Sequence, residues 1–312
     1  MVDNGYPLTT EPNILKELIK PPNFLRNIAC VVSKTSNVSS NLPINQLSNI
    51  RWRREGLKYD FNEAYFDFTE EISSIIDKSG NLVVAQVYGY IDCLIRLSGM
   101  PDLTMTFVDP RQLENISFHS CVRFSRWEKQ SIISFIPPDG KFRLLSFQIR
   151  NILMMNIPIS VNHNIYSNEN SQRFEISINI KSTGGKALEN LKVLAKMPPE
   201  VLNIHFSACT RGKPIFDSTT KIFKWNIGKV ESCGPYPSIK GTMSLSDGVG
   251  TKFSFSPVLS LNFNINQHTI SGVKINRLDM FGEELINTRE KKYKPFKGVK
   301  YMTKSSSFEI RT

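Results

Sequence analysis

A long alternation of apolar and polar residues, over residues 81–97, restricts the possible folds more than any other part of the sequence. A period of two belongs to an extended chain with one buried face. The segment therefore predicts a long strand. Its apolar face carries Val83, Ala85, Val87, Gly89, Ile91, Cys93 and Ile95, and its other face carries Gln86, Tyr88, Tyr90, Asp92, Leu94 and Arg96.

Further strands are predicted at regular spacing, separated by turns that contain Pro or Gly. They cover residues 103–107, 131–136, 142–149, 174–180, 191–195, 222–227 and 259–265. The sequence Pro137-Pro138-Asp139-Gly140 has residues that hairpin turns favour, and it predicts a hairpin between two of these strands. No helical period of convincing length follows residue 50. The chain is therefore predicted to be all-β, as one long sandwich or two joined ones.

The two ends of the chain differ from this middle part. Residues 13–20 have the spacing of a short amphipathic helix, which Pro21 and Pro22 would end. Residues 26–50 are rich in Ser, Asn, Thr and Val and predict a flexible linker. Residues 289–312 interleave lysines with apolar residues and predict a basic hairpin. The predicted division is a short helix within residues 1–25, a linker over 26–50 and a β domain over 51–312.

The charge balance favours an anionic partner. Lys and Arg outnumber Asp and Glu by 39 to 28, which gives a net charge of +11. Nucleic acid, an anionic membrane and an acidic protein all fit that charge, but no recognition helix, zinc module or RNA-binding box supports nucleic acid. The five cysteines are scattered, and neither a signal region nor a membrane-length apolar run is present. We therefore expect a soluble cytosolic chain with reduced thiols.

The sequence contains no recognisable catalytic constellation. The four histidines are far apart, and no cysteine pair has the spacing of a zinc site. Glu70 and Glu71 are adjacent and would face opposite sides of a strand, which is wrong for shared acid–base chemistry. Neither a phosphate loop nor a nucleophile elbow is found. We expect a protein that is not an enzyme and needs no metal or other cofactor.

Residues 62–68 are the best candidate for a binding stretch. As a strand they would place Tyr65 and Asp67 on one face and Phe66 and Phe68 on the other. A ring beside a carboxylate can hold a phenol, with the ring stacking and the carboxylate accepting the hydroxyl hydrogen. The alternative is that the phenylalanines are core residues and that Tyr65 and Asp67 are ordinary surface.

Several ordered segments of the chain together form a recognisable pattern. They are Leu47-Ser48-Asn49-Ile50-Arg51-Trp52-Arg53-Arg54, residues 62–67, Ile75-Ile76-Asp77-Lys78-Ser79-Gly80, Leu97-Ser98-Gly99-Met100-Pro101-Asp102, Ser134-Phe135-Ile136-Pro137-Pro138-Asp139-Gly140 and Lys294-Pro295-Phe296-Lys297-Gly298-Val299-Lys300-Tyr301. These segments resemble the medium (mu) subunits of clathrin-type adaptor complexes, and their sequences are most similar to the branch from adaptor protein complex three. The resemblance runs from about residue 51 to the C-terminus. It implies a mu homology domain, an elongated immunoglobulin-like β-sandwich of two joined subdomains.

The resemblance implies recognition of tyrosine-based sorting signals, Tyr-X-X-Φ with Φ a bulky apolar residue, by strand addition at a sheet edge. Such signals lie in the cytosolic tails of membrane cargo. The implied tyrosine pocket contains Tyr65, Asp67 and Lys300. The implied Φ pocket contains Phe66, Ile275, Leu278 and Val299.

Three features depart from the family pattern. Many mu subunits have Trp in the edge strand where this chain has Gly298, which implies a less enclosed tyrosine pocket. A lysine that assists binding in other mu subunits corresponds to Leu94 here, and residues 284–290 look like an insertion.

Residues 1–25 resemble only the last helix of the family's longin domain. We therefore expect the usual assembly with the large and small subunits to be altered, as in a shortened isoform or an incomplete gene model.

The resemblance also implies peripheral association with Golgi, endosomal and transport-vesicle membranes, and transport to lysosomes and related organelles. A lysine-rich patch of Lys291, Lys292, Lys294 and Lys297 could contact anionic phosphoinositide membranes, or it could be a solvated strand edge. Two alternatives to cargo recognition remain at this point. One is a regulatory fragment outside the adaptor complex, and the other is a module that binds anionic membranes.

Overall fold

The structure, a computed structural model, describes residues 2–3, 6–7, 50, 52–54, 56–149, 157–167, 171–181, 183–246, 257–282 and 296–311. Within these ranges the chain is built almost entirely of strands, with one short α-helix. The elements are β1 (Val2–Asp3), β2 (Tyr6–Pro7), β3 (Glu63–Ile76), β4 (Leu82–Arg96), β5 (Asp102–Phe107), β6 (Leu113–Phe118), α1 (Phe124–Gln130), β7 (Ile133–Phe135), β8 (Gly140–Ile149), β9 (Ile159–Ser167), β10 (Ser171–Ile180), β11 (Leu188–Lys196), β12 (Val201–Cys209), β13 (Lys213–Asp217), β14 (Ile222–Val230), β15 (Ser238–Leu245), β16 (Val258–Asn266), β17 (Ile275–Phe281) and β18 (Phe296–Arg311).

One nine-stranded sheet runs through the whole described β region. Its strand order is β13-β14-β11-β16-β18-β3-β4-β8-β6. A four-stranded sheet, β12-β15-β10-β9, packs on one half, as the contact between the rings of Phe174 and Phe223 shows. A three-stranded sheet, β17-β5-β7, packs on the other half, where Phe68 meets Phe107. The all-β prediction is confirmed, and β18 joins the two halves of the large sheet.

The alternation predicted for β3 and β4 is confirmed where both strands lie within the sheet. Ala64, Phe66 and Phe68 of β3 are fully buried, whereas Tyr65 is half-buried and Asp67 is exposed. On β4 the apolar face is buried from Val87 onward. The first residues of β4 stay exposed, because β8 pairs only with the part of β4 that begins at Tyr88. We call the face with Tyr65 and Asp67 the outer face, and the face toward the smaller sheets the inner face.

The predicted hairpin at residues 137–140 is wrong. β7 joins the three-stranded sheet and β8 joins the nine-stranded sheet, so this segment crosses between the sheets. The buried guanidinium of Arg53 donates to the carbonyl oxygens of Gly99 and Pro137, at 2.7 and 3.2 Å. The Tyr59 hydroxyl lies 2.7 Å from an oxygen of Asp139, and burial raises its pKa to about 12. Turn residues specify a reversal, but these long-range contacts decide which strands pair.

The predicted basic hairpin is also wrong for residues 296–311. They form one strand, β18, which pairs in parallel with β3 and antiparallel with β16. The helix α1 was not predicted, because seven residues without a buried side chain give no helical period. The predicted helix at 13–20, almost all of the predicted linker, and residues 284–290 lie outside the described residues.

Candidate functional site

The parallel pairing of β3 and β18 builds the site from two distant parts of the sequence. Tyr65 lies opposite Gly298, and Asp67 lies opposite Lys300. Residues that face each other in a ladder share a side of the sheet. Tyr65, Asp67 and Lys300 are therefore neighbours on the outer face, so the structure brings together the three residues predicted for the tyrosine pocket.

The N-terminal part of β18 has an edge that no other strand of the described chain covers. β16 begins to pair with β18 only at Met302. One further backbone hydrogen bond, at the neighbouring residue, joins the Gln267 amide to the Tyr301 carbonyl oxygen at 2.8 Å. From residue 296 to residue 300, β18 pairs with β3 on one side, and on the other side it pairs with no strand of the described chain. We call residues 296–300 the open edge. Unpaired backbone groups of this kind can accept an added strand.

β17 stands across from the open edge, on the inner side. The Ile275 amide donates to the Tyr301 hydroxyl at 3.0 Å, and the Lys297 ammonium donates to the Leu278 carbonyl. These contacts bring Ile275 and Leu278 close to Val299, as the predicted Φ pocket requires. Ile275 and Val299 are half-buried and offer apolar surface, while Leu278 is almost fully buried.

Phe66 differs from the other residues predicted for the Φ pocket. Its side chain has no exposed surface. On the inner face it lies opposite Val299, so it supports that residue from within the core. It does not present a surface to a ligand in this conformation.

The carboxylate of Asp67 is an available acceptor. It makes no hydrogen bond or ion pair with any residue that the structure describes. Asp92 lies directly across from it on β4, but the charge of Asp92 is matched by Arg143, whose Nε and Nη2 donate to the two carboxylate oxygens at 2.7 and 3.1 Å. These hydrogen bonds raise the pKa of Arg143. Arg143 is therefore engaged by Asp92, and the carboxylate of Asp67, beside Tyr65 on this face, keeps no partner among the described residues.

Phe296 is a site residue that the sequence reasoning missed. Its ring centroid lies 5.5 Å from that of Tyr65, and 59% of its surface is exposed. The residue was visible in the motif around Gly298, and alternation along β18 puts both residues on the outer face. The missing information was the register of β18 against β3, which alone places Phe296 beside Tyr65.

Other predicted residues have different positions. Leu94 lies directly across from Tyr65, at the position implied for the missing lysine. Lys297 lies on the inner side, where it is bonded to Leu278, and does not extend toward the outer face. Lys291, Lys292 and Lys294 lie outside the described residues. Within the described ranges, no three His, Cys, Asp or Glu side chains gather as metal ligands, and no helix is long and apolar enough to span a membrane.

Comparisons with known proteins agree with this architecture. A family model described as the adaptor complexes medium subunit family matches residues 50–312. The AP-3 complex subunit mu-2 of Homo sapiens is 50% identical over 314 aligned residues, which cover 100% of this chain and 72% of the human protein.

Two known structures show the same fold. A chain of a homology model of the full-length AP-3 complex, in an intermediate open conformation, matches with a TM-score of 0.60 and 23% identity, over 92% of this chain and 72% of that one. The Fcho1 mu homology domain of Danio rerio with bound Eps15 peptide matches with a TM-score of 0.58 and 9% identity, over 82% of this chain and 98% of that one. The fold is therefore that of a mu homology domain.

Proposed function

The chain belongs to the adaptor complexes medium subunit family, and we propose that it binds tyrosine-based sorting signals, Tyr-X-X-Φ, in the cytosolic tails of membrane proteins. Members of this family are trafficking proteins and not enzymes. The similarity to AP-3 subunits supports a role as a cargo adaptor in vesicle transport. Sorting from Golgi and endosomes to lysosomes, and assembly with large and small adaptor subunits, are part of the proposal.

The observation that carries the proposal is the open edge with a different surface on each side. The outer face offers Tyr65 and the free carboxylate of Asp67. The inner side offers Val299 and Ile275. In an extended peptide, side chains three positions apart point to opposite faces. A peptide added to the open edge would therefore direct its tyrosine to one surface and its Φ residue to the other.

The expected affinity is modest. A hydrogen bond to a charged acceptor contributes about 1.5–3 kcal/mol, and a backbone hydrogen bond about 1 kcal/mol. Burial of one apolar side chain contributes about 1.5–3 kcal/mol. After the costs of association, we expect a binding free energy of about −8 kcal/mol, which is a micromolar Kd. Tethering of cargo and adaptor to one membrane raises the effective concentration and makes such affinity sufficient.

The test is a titration of the chain with a labelled Tyr-X-X-Leu peptide, followed by fluorescence polarisation. A peptide with Ala in place of Tyr is the ligand control. Asp67→Ala should weaken binding about tenfold, near the lower end of the range for a charged acceptor, because Asp67 is exposed and water competes for it. Glu128→Ala removes an exposed carboxylate from α1 and should leave Kd unchanged. Equal binding by wild type and Asp67→Ala would remove this pocket from the proposal.

An anionic membrane is a second candidate partner. A group of exposed lysines on β11, β13 and β14, at one end of the nine-stranded sheet, favours it. Lys192, Lys213 and Lys224 are exposed on the outer face of this sheet, on β11, β13 and β14. None of the three pairs with an acidic residue of the described chain. Each lysine near an anionic leaflet contributes about 1 kcal/mol.

Sedimentation with phosphatidylserine vesicles tests this candidate, using a triple Lys→Gln variant of these positions. Unchanged sedimentation of the variant would exclude this surface. A regulatory role outside the complex predicts that the chain does not co-purify with adaptor large subunits, and stable incorporation would refute it.

A further inference from the structure

We infer that Phe296 is the second ring of the tyrosine pocket and fills the space that a large side chain at position 298 would otherwise occupy. The inference rests on the proposed recognition of tyrosine signals and adds a ring-binding residue to that site. It concerns a residue to which neither the sequence motif nor the family resemblance assigned a role.

A side chain at position 298 would begin in the space beside both rings. A Cβ atom at this position would lie 3.3 Å from Cδ1 of Tyr65 and 3.6 Å from Cε1 of Phe296. Even an alanine would therefore press against the Tyr65 ring, and a large residue would require both rings to move. The absence of a side chain at position 298 is what lets Phe296 lean toward Tyr65 across the strand.

The exposure of Phe296 is consistent with a contact surface and not with a core role. With 59% of its surface in solvent, the ring has little to do with holding the sheets together. Tyr65 is its one ring neighbour among the described residues, at a centroid distance of 5.5 Å and an interplanar angle of 50°. The two tilted rings form an open apolar corner beside the open edge. An aromatic side chain from an added strand would cover both.

The position of the corner suits a phenol. Asp67 lies two residues beyond Tyr65 on the same face, about 6.8 Å along the strand. A tyrosine ring in the corner can direct its hydroxyl toward that carboxylate, while its edge or face meets the rings of Phe296 and Tyr65 in the tilted geometries that aromatic pairs favour. Leu94, across from Tyr65 on β4, adds apolar surface on the far side. The corner thus supplies the wall that the absence of Trp at position 298 would remove.

The experiment compares Phe296→Leu and Phe296→Trp with wild type in the same Tyr-X-X-Leu peptide titration. Loss of the ring should raise Kd about fivefold to tenfold, as expected for an aromatic pair together with its apolar contact. Phe296→Trp keeps a ring and should bind within about twofold of wild type. The matched control is Phe124→Leu, because Phe124 is also 59% exposed and also lies against one ring, that of Phe118. It should leave Kd unchanged.

The outcomes separate the inference from the function on which it rests. Binding that depends on Asp67 but is equal in wild type and Phe296→Leu would overturn the inference alone. A Phe296→Trp variant as weak as Phe296→Leu, with an unchanged unfolding midpoint, would also overturn it, because the role would then not be that of a ring. Failure of the wild-type chain to bind the peptide would overturn both. Support requires that Phe296→Leu bind the peptide more weakly than wild type, and that Phe296→Trp and Phe124→Leu bind it with a Kd close to that of wild type.

Discussion

Glu70 should hold the loop that leads into β17, and its replacement provides a quantitative test of the structure. Its side chain is fully buried on the inner face of β3. The carboxylate accepts hydrogen bonds from the backbone amides of Ile270 and Ser271, at 2.7 and 3.2 Å, and from the Ser271 hydroxyl. This loop continues into β17, which carries Ile275 and Leu278 of the proposed Φ pocket.

Glu70→Ala would leave two amides in a buried region without their acceptor. Each unsatisfied donor costs about 1–3 kcal/mol. Part of this cost is offset, because the variant no longer buries a carboxylate. We therefore expect Glu70→Ala to lower the free energy of unfolding by about 3 kcal/mol. Glu70→Gln keeps one side-chain oxygen, which can still accept both amides because both donate to the same oxygen, Oε2, and it should therefore cost less.

The pH dependence supplies a second, independent signal. Burial raises the pKa of Glu70 above the value of 4.5 for a free glutamate, against the opposing effect of its hydrogen bonds. Between the unfolded pKa and the raised folded pKa, the folded state binds more protons than the unfolded state. The contribution of Glu70 to stability is therefore largest below the unfolded pKa and decreases as pH rises through the folded pKa. Glu70→Gln does not titrate and should lack this decrease.

Urea unfolding, followed by tryptophan fluorescence between pH 4.5 and 7.5, measures both effects. Glu71→Ala is the neighbouring control: it removes a half-buried carboxylate whose one hydrogen bond within the described residues comes from the Tyr90 hydroxyl, at 3.0 Å. It should cost about 1 kcal/mol or less. A cost below 1 kcal/mol for Glu70→Ala would refute the argument that Glu70 holds the loop. A constant difference between wild type and Glu70→Gln over this pH range would refute the argument from titration.

Two further substitutions test the geometry around the open edge. Gly298→Ala should weaken peptide binding about threefold to tenfold while changing the unfolding midpoint little, because its Cβ would crowd the Tyr65 ring at 3.3 Å; unchanged affinity would show that the ring arrangement is not needed. Tyr301→Phe removes the oxygen that accepts the Ile275 amide at 3.0 Å. It should cost about 1–2 kcal/mol of unfolding free energy, measurable by urea unfolding, and a cost near zero would mean that water replaces the bond.

The strands themselves could be predicted because their signal is local. Alternation within β3, β10, β16 and the part of β4 from Val87 onward indicates directly which side chains face the core, and the structure agrees. The two hairpin predictions that the described residues contradict, at residues 137–140 and 296–311, share one cause. Residues 137–140 have good turn chemistry and residues 289–312 have a suggestive composition, but neither specifies a pairing partner. Partners are set by contacts between distant residues, such as Arg53 with the carbonyl of Pro137.

The candidate site shows the same division between local and long-range information. Tyr65 and Asp67 could be singled out because they share one strand face. Lys300 and the Φ-pocket residues were assigned only through the family resemblance. Phe296 was missed because its nearness to Tyr65 depends on the parallel register of β18 against β3. The alternation along β18 indicates that Phe296 faces outward. It does not indicate which ring of a neighbouring strand Phe296 contacts there.

The open edge and the inner apolar surface have a common origin at the end of β16. Gln267 adopts a positive φ of 55°, a conformation that side-chain-bearing residues rarely take, and its amide makes the last backbone bond to Tyr301. From there the chain leaves β18 and, held by Glu70, runs into β17 in the other sheet. A β16 that continued straight would cover residues 296–300 and leave no β17 facing them. One turn therefore uncovers the strand edge and places Ile275 across from it, so the two surfaces of the proposed peptide site should be lost or kept together.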